Sequence, residues 1–289
     1  MIKIGFLGCL VLQDEMLYLI ENDPSVKKVT LIKNGEEELI SEKLDELGIP
    51  YELKFFEQLD SSDNNGSTDS SDLDSNSDSG SDSGSDSDSD IEIIIYLLKL
   101  GLHAYPKTLK EVVYEEVGKF SKHVNGILLF YGLCGNVLGK VDLELSTKEC
   151  PVRILRESNN EVVDDCVGAV LNGRENYLKL LKSFNGVGTF IFFPMNSVTA
   201  GTLFESDMKK QRFSEEEIYK MNKFMFKECG YKYVGNLDTG LNYTKDVDSS
   251  IKRFADRYDF EVIPLEGGNQ DLIDYNYKHI KSAIKESLA

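Results

Sequence analysis

GILLFYGLCGN, residues 126–136, is the stretch on which the reading of the fold turns. Ile127 to Tyr131 form an apolar run of strand length, and the run empties into a turn where Gly132 and Gly135 flank Cys134. In open α/β sheets ligands collect at the carboxyl ends of strands, and glycine lets backbone approach a bound group closely. Gly132, Gly135 and Asn136 are therefore candidate cofactor-binding positions, and Cys134 stands where such sites form. Gly139 and Lys140 follow at nearly phosphate-loop spacing. Cys134 occupies the place of that motif's first Gly and Val141 that of its Ser or Thr, which excludes a P-loop.

Outward from this turn, short β-rich runs alternate with helical periodicity, the mark of an α/β fold with a mostly parallel sheet. Strands are predicted at Lys3–Leu7, Lys28–Ile32, Tyr51–Phe56, Gly126–Tyr131, Val152–Leu155, Gly188–Phe193, Tyr231–Asn236 and Phe260–Pro264. The segment from Pro106 to Phe120 carries Leu109, Val112, Val113 and Val117 on one stripe, with Pro106 suited to a first helical turn. Ser214 and Glu217 form a capping box before Ile218, Met221, Phe224 and Met225, and Gly230 stops that helix. The apolar strand ending in Pro194–Gly201 is followed by a polar connection, which predicts an α/β domain over 1–200 and a C-terminal α/β lobe over 201–289, separate or packed on the same sheet.

The chain has 289 residues, 41% of them hydrophobic, enough for a sizeable core. Its net charge is -18, against any nonspecific grip on nucleic acid or anionic lipid. Ten of those negative charges fall in residues 60–90, which hold ten Asp and no Lys, Arg or Glu, so the rest of the chain is only mildly acidic. Residues 61–90, rich in Asp and Ser with Leu73 as the one aliphatic residue, read as a disordered insertion. IEIIIYLLKLGL, residues 91–102, is too short for a membrane span and contains Glu92 and Lys99. The N-terminus lacks the layout of an export signal, and a cytoplasmic protein is predicted.

Five cysteines in such a chain argue against a disulfide framework. Cys9 ends the first strand, Cys134 follows a central one, and Cys166 lies in the first turn of a helix that Asp164 or Asp165 opens. These three share one topological position, the carboxyl edge of the sheet. Three thiolates do not share a site without a cation, because like charges disfavour joint ionisation. They are thus candidate ligands of a metal ion or an iron-sulfur type centre, or of zinc with Asp164 or Asp165 as fourth ligand. Two other readings stand beside this one: Cys134 as nucleophile or redox thiol resolved by Cys166, and a structural or interaction subunit with core cysteines. Cys229 is expected in the core, Cys150 is undecided, and His103, His123 and His279 read as ordinary surface or satisfied histidines.

The chain resembles the DUF1638 family of uncharacterised bacterial and archaeal proteins, frequent in methanogens. The resemblance rests on GCLVLQDE with Cys9 and Glu15, on YGLCGN at Tyr131–Asn136, and on PVRILRE followed by Asp164, Asp165, Cys166, Gly173, Arg174 and Tyr177. A Gly before an Asp-Leu pair, Gly267 to Leu272, completes it. Two positions depart: the family's His is Asp164 here, and PMNSV, residues 194–198, replaces a Gly-Trp. The resemblance implies a place in anaerobic one-carbon or corrinoid-linked metabolism, where such a protein would bind, deliver or mature a metallocofactor and meet a protein partner.

Overall fold

The computed structural model describes residues 1–59, 89–199 and 213–289, so most of the 61–90 segment lies outside the described residues. The described strands form two sheets, and every strand pairing in them is parallel. The first half of the chain runs β1 (Ile2–Cys9), α1 (Gln13–Asn22), β2 (Val26–Ile32), α2 (Glu38–Leu47), β3 (Tyr51–Lys54), β4 (Ile91–Leu98), α3 (Pro106–Phe120), β5 (Gly126–Phe130), α4 (Val141–Leu145) and β6 (Val152–Ile154). Its six strands lie in the order β3-β2-β4-β1-β5-β6.

The sequence pattern did not single out β4. All eight residues of IEIIIYLL are buried between β1 and β2. A strand covered on both faces has no polar-apolar alternation to read, and the run is too short to distinguish from a buried helix by periodicity. Glu92, 4% exposed, is accommodated by the Thr30 hydroxyl, which donates to its carboxylate at 2.8 Å.

Side chains alternate across β1 as its pleat requires. Ile4 and Phe6 join one core with Met16 and Leu17 of α1 and Ile40 and Leu44 of α2; Leu7 joins the opposite core with Leu109, Val113, Val117 and Phe120 of α3. Each of those four α3 side chains is fully buried, worth about 1.5–3 kcal/mol apiece as an upper bound.

The second half runs α5 (Cys166–Val170), α6 (Arg174–Ser183), β7 (Gly188–Phe192), α7 (residues 194–199), α8 (Glu215–Glu228), β8 (Tyr231–Asp238), α9 (Val247–Tyr258), β9 (Glu261–Glu266) and α10 (Asp271–Leu288). Its three strands make the smaller sheet β7-β8-β9, with Pro264 on an edge strand where a missing N–H is tolerated. The change of sheet comes before β7. The C-terminal helix also returns to the large sheet: Tyr277, Ile280 and Ile284 of α10 belong to the core of Ile4 and Phe6. Buried apolar contact, which no composition shift records, decides both boundaries.

The capping box of α8 forms as expected, with Ser214 accepting from the Glu217 N–H. Its buried face differs from the expected one. Ile218, Asn222 and Phe226 face inward against the aromatic cluster of Phe254 and Tyr258, while Met221, Phe224 and Met225 are exposed. Cys229, expected in the core, is exposed as well: it is the C-cap of α8, where the chain leaves helical geometry and the stripe no longer applies. Among the described residues no helix is long and apolar enough to cross a membrane.

Candidate functional site

β4, β1 and β5 are neighbours, and the chain leaves β1 through α1 on one face and β4 through α3 on the other. Such a reversal opens a crevice beyond the carboxyl ends of the strands. Register fixes what stands at its rim: Cys9 is level with Leu98, and Gly8 with Phe130. The segments after all three strands meet there around a cavity of about 350 Å³.

Cys9, Cys134 and Cys166 all line this cavity. The third cysteine arrives by a detour. Past β6 the chain folds back through an antiparallel bridge between Arg156 and Val162, and the Val163 N–H donates to the Leu155 carbonyl at 3.1 Å. The returning segment is laced to the turn after β5, the Leu133 N–H donating to Val163 O at 2.8 Å and the Cys134 N–H to Asp164 O at 3.2 Å. Asp165 then caps α5, accepting from the Gly168 N–H at 2.8 Å, which sets Cys166 in the first turn. Cys134 itself has φ 44°, followed by Gly135 at 78° and Asn136 at 62°. A side chain in the left-handed region costs about 1–2 kcal/mol, and such strain persists only where neighbours over-determine it. Here the lacing to residues 163 and 164 does so.

The other site candidates divide between two cavities. Gly132 and Gly135 line the cysteine cavity, but Asn136 lines a separate one of about 710 Å³ with Lys110, Tyr114 and Arg156. Asp164 is turned to Arg174, which grips both carboxylate oxygens at 2.8 and 3.1 Å. The carboxylate in the cysteine cavity is instead Asp165. Arg174, ten residues on, holds Asp164 in a fork, and this pairing is invisible in one dimension. Cys150 is buried in the α3-side core.

Sequence reasoning missed four polar wall residues, Lys99, His103, Tyr131 and Asn196. A signal existed for two of them: Lys99 and His103 follow β4 directly, so recognising that strand would have placed them at the same carboxyl edge as Cys9.

Burial governs the electrostatics. It pushes the Cys9 thiol up to about 12, with Cys134 and Glu36 adding to the effect. It pushes Cys134 up to about 11, partly offset by the Gly132 backbone, and it raises Cys166 well above the usual thiol range, with Asp165, Cys9 and Cys134 reinforcing it. The three thiols thus sense one another and are neutral near pH 7. Desolvation lowers His103 despite the opposing charge of Asp165. Among the described residues no group of three or more His, Cys, Asp or Glu side chains is gathered closely enough to hold a metal ion.

Glu15, the acidic residue of the N-terminal motif, is 4% exposed, and among the described residues its Oε2 has no partner. Burial, aided by Asp14, raises it from 4.5 to about 8. The folded state keeps this proton up to about pH 8 while the unfolded chain releases it near 4.5, so stability falls as pH rises through that window. Glu15→Gln, which cannot ionise, is expected to match the parent at pH 4 and to exceed it by on the order of 3 kcal/mol at pH 8. Urea unfolding of both proteins at the two pH values measures this; equal pH profiles would refute it.

A family model described as "Protein of unknown function (DUF1638)" matches residues 97–275 of the chain. No curated protein and no solved structure matches it.

Proposed function

The chain belongs to the DUF1638 family, and we propose that Cys9, Cys134 and Cys166 are the ligands of a thiolate-held metal centre. One observation carries the proposal: three cysteines far apart in sequence, on three different segments of the carboxyl edge, line a single cavity. Buried thiols at this mutual distance oppose one another's ionisation, and a bound cation is what allows all three protons to leave.

Three sulfurs on one zinc ion, with bonds of about 2.3 Å, must approach one another to roughly 3.8 Å, and among the described residues no His, Cys, Asp or Glu group is placed to hold a metal ion as it stands. An iron-sulfur type centre puts its thiolates on different metal ions and so tolerates wider spacing between them. Cys9, Cys134 and Cys166 would hold it, with Asp165, not Asp164, as the carboxylate at hand. When bound, such a centre supplies a Lewis-acidic or one-electron site in apolar surroundings. In the one-carbon setting implied by the family resemblance, its occupant would be a metallocofactor or a small molecule. The alternative, attack by a Cys134 thiolate, is opposed by burial: at pH 7 a thiol pushed up to about 11 is ionised in only about one molecule in 10⁴.

Anaerobic reconstitution with iron and sulfide tests the proposal. The parent is expected to retain about one centre per chain with thiolate charge-transfer absorption, and the Cys9→Ser/Cys134→Ser/Cys166→Ser variant to retain none while unfolding cooperatively. A parent that binds neither iron nor zinc would overturn it, and zinc alone would keep the thiolate site but replace the iron-sulfur assignment.

A further inference from the structure

Tyr131 is 4% exposed and lines the cysteine cavity, and among the described residues its hydroxyl has no hydrogen-bond partner. Leaving a buried hydroxyl unpaired costs about 1–3 kcal/mol. The residue directly follows β5 and precedes the turn laced to residues 163 and 164, so its backbone has little freedom to carry the hydroxyl elsewhere. A phenol is a hydrogen-bond donor, and among the described residues nothing receives this one.

The rest of the wall narrows the chemistry. Lys99, the residue after β4, is exposed and lines the same cavity, giving a cation at its edge. Asp165 spends a carboxylate oxygen on the Gly168 N–H. Val11, Leu12, Leu102 and Phe130 are apolar. A volume of about 350 Å³ lies at the small end of the roughly 300–1,000 Å³ of ligand pockets, which suits a molecule of a few carbons.

We propose that the cavity binds a small aliphatic carboxylate, whose oxygen accepts from the Tyr131 hydroxyl, whose charge faces Lys99 and whose carbons rest on Val11 and Phe130. This deepens the metal-centre reading and rests on it for what the carboxylate lies against. Propionate is the probe, with propylamine and 1-propanol as controls for charge, titrated into iron- and sulfide-reconstituted protein and into metal-free protein while ligand-observed NMR reports binding and metal is assayed in each sample. Propionate is expected to bind at least tenfold more tightly than either control. Tyr131→Phe and Lys99→Gln are each expected to weaken it about tenfold, or about 1.4 kcal/mol, with metal content unchanged. Lys99 is exposed, so its variant keeps the test alive if Tyr131→Phe fails to fold. Metal retained with no propionate binding, controls that bind as well as propionate, or a Lys99→Gln protein indistinguishable from the parent would each overturn the carboxylate site. Propionate binding lost in the variants but seen in a parent that takes up no metal would instead overturn the metal centre and leave the carboxylate site standing.

Discussion

Lys43→Met is expected to lower the free energy of unfolding by about 3–5 kcal/mol, the cost of stripping the partner from a buried charge. The Lys43 ammonium and the Asp14 carboxylate meet at 2.6 Å with side-chain exposures of 10% and 4%. The Thr244 hydroxyl donates to Asp14 Oδ2 at 2.7 Å and accepts from Lys43 at 2.8 Å, and Met195 Sδ lies 2.9 Å from the ammonium. The pair thus ties α1 and α2 of the large sheet to segments that flank the small one. Burial lowers the pKa of Lys43, and Asp14 resists that shift, so either partner alone would be a desolvated charge. The size of the loss comes from the orphaned carboxylate, not from the attraction itself. For that reason Asp14→Leu/Lys43→Met, which removes both charges, is expected to return to within about 1 kcal/mol of the parent. Urea midpoints of the three proteins decide it. A single variant within 1 kcal/mol of the parent would mean that water reaches Asp14 and the interface is looser than described.

Gly132→Ala is expected to cost about 3 kcal/mol, a fall in Tm on the order of 10 °C, and to abolish whatever the three cysteines bind. An added Cβ would stand 2.5 Å from the Val163 carbonyl oxygen, 2.8 Å from the Asp165 nitrogen and 3.0 Å from the Asp164 carbonyl carbon. All three atoms are backbone, so no rotamer change relieves the clash. The turn must swing away, breaking the bonds from Leu133 N–H to Val163 and from Cys134 N–H to Asp164, which set the Cys134 turn beside the segment that leads into Cys166. Gly139→Ala is the control: its added Cβ would meet only the Leu133 Cδ2, at 3.1 Å, a side chain that can turn aside. Calorimetry of both variants, with metal uptake after reconstitution, measures the two effects. A Gly132→Ala protein that melts with the parent would show that the segment around 163 can retreat, and that the glycine is not needed for close approach.

Local pattern carried the α/β alternation, the parallel sheet, most strands, the α3 stripe and the α8 cap, because strand runs and caps are properties of a few consecutive residues. It also placed Cys9, Cys134 and Cys166 at one sheet edge. The rule that βα segments leave at the carboxyl end holds whatever the order of the strands, so strand ends could be grouped before the order was known. β4 stayed hidden because two-sided burial erases the alternation that marks a half-buried strand.

What the tertiary structure alone decided is which side chains meet. Asp164 and Asp165 are adjacent in sequence, yet Arg174 binds the first and the cavity receives the second. Asn136 follows the glycine of the site but faces another cavity. Gly132 lines the cavity, as the sequence offered, and only the fold shows that it also lets two backbone segments pack closely. The Asp14–Lys43 pair spans 29 residues and its link to Thr244 spans 230, and the Tyr131 hydroxyl is left unpaired among the described residues only once the chain has folded around it. Composition and periodicity determine which elements form, since these depend on short-range sterics and on whether a face is apolar. Pairing of polar groups depends on geometry to fractions of an ångström between distant segments, and only the folded chain supplies that.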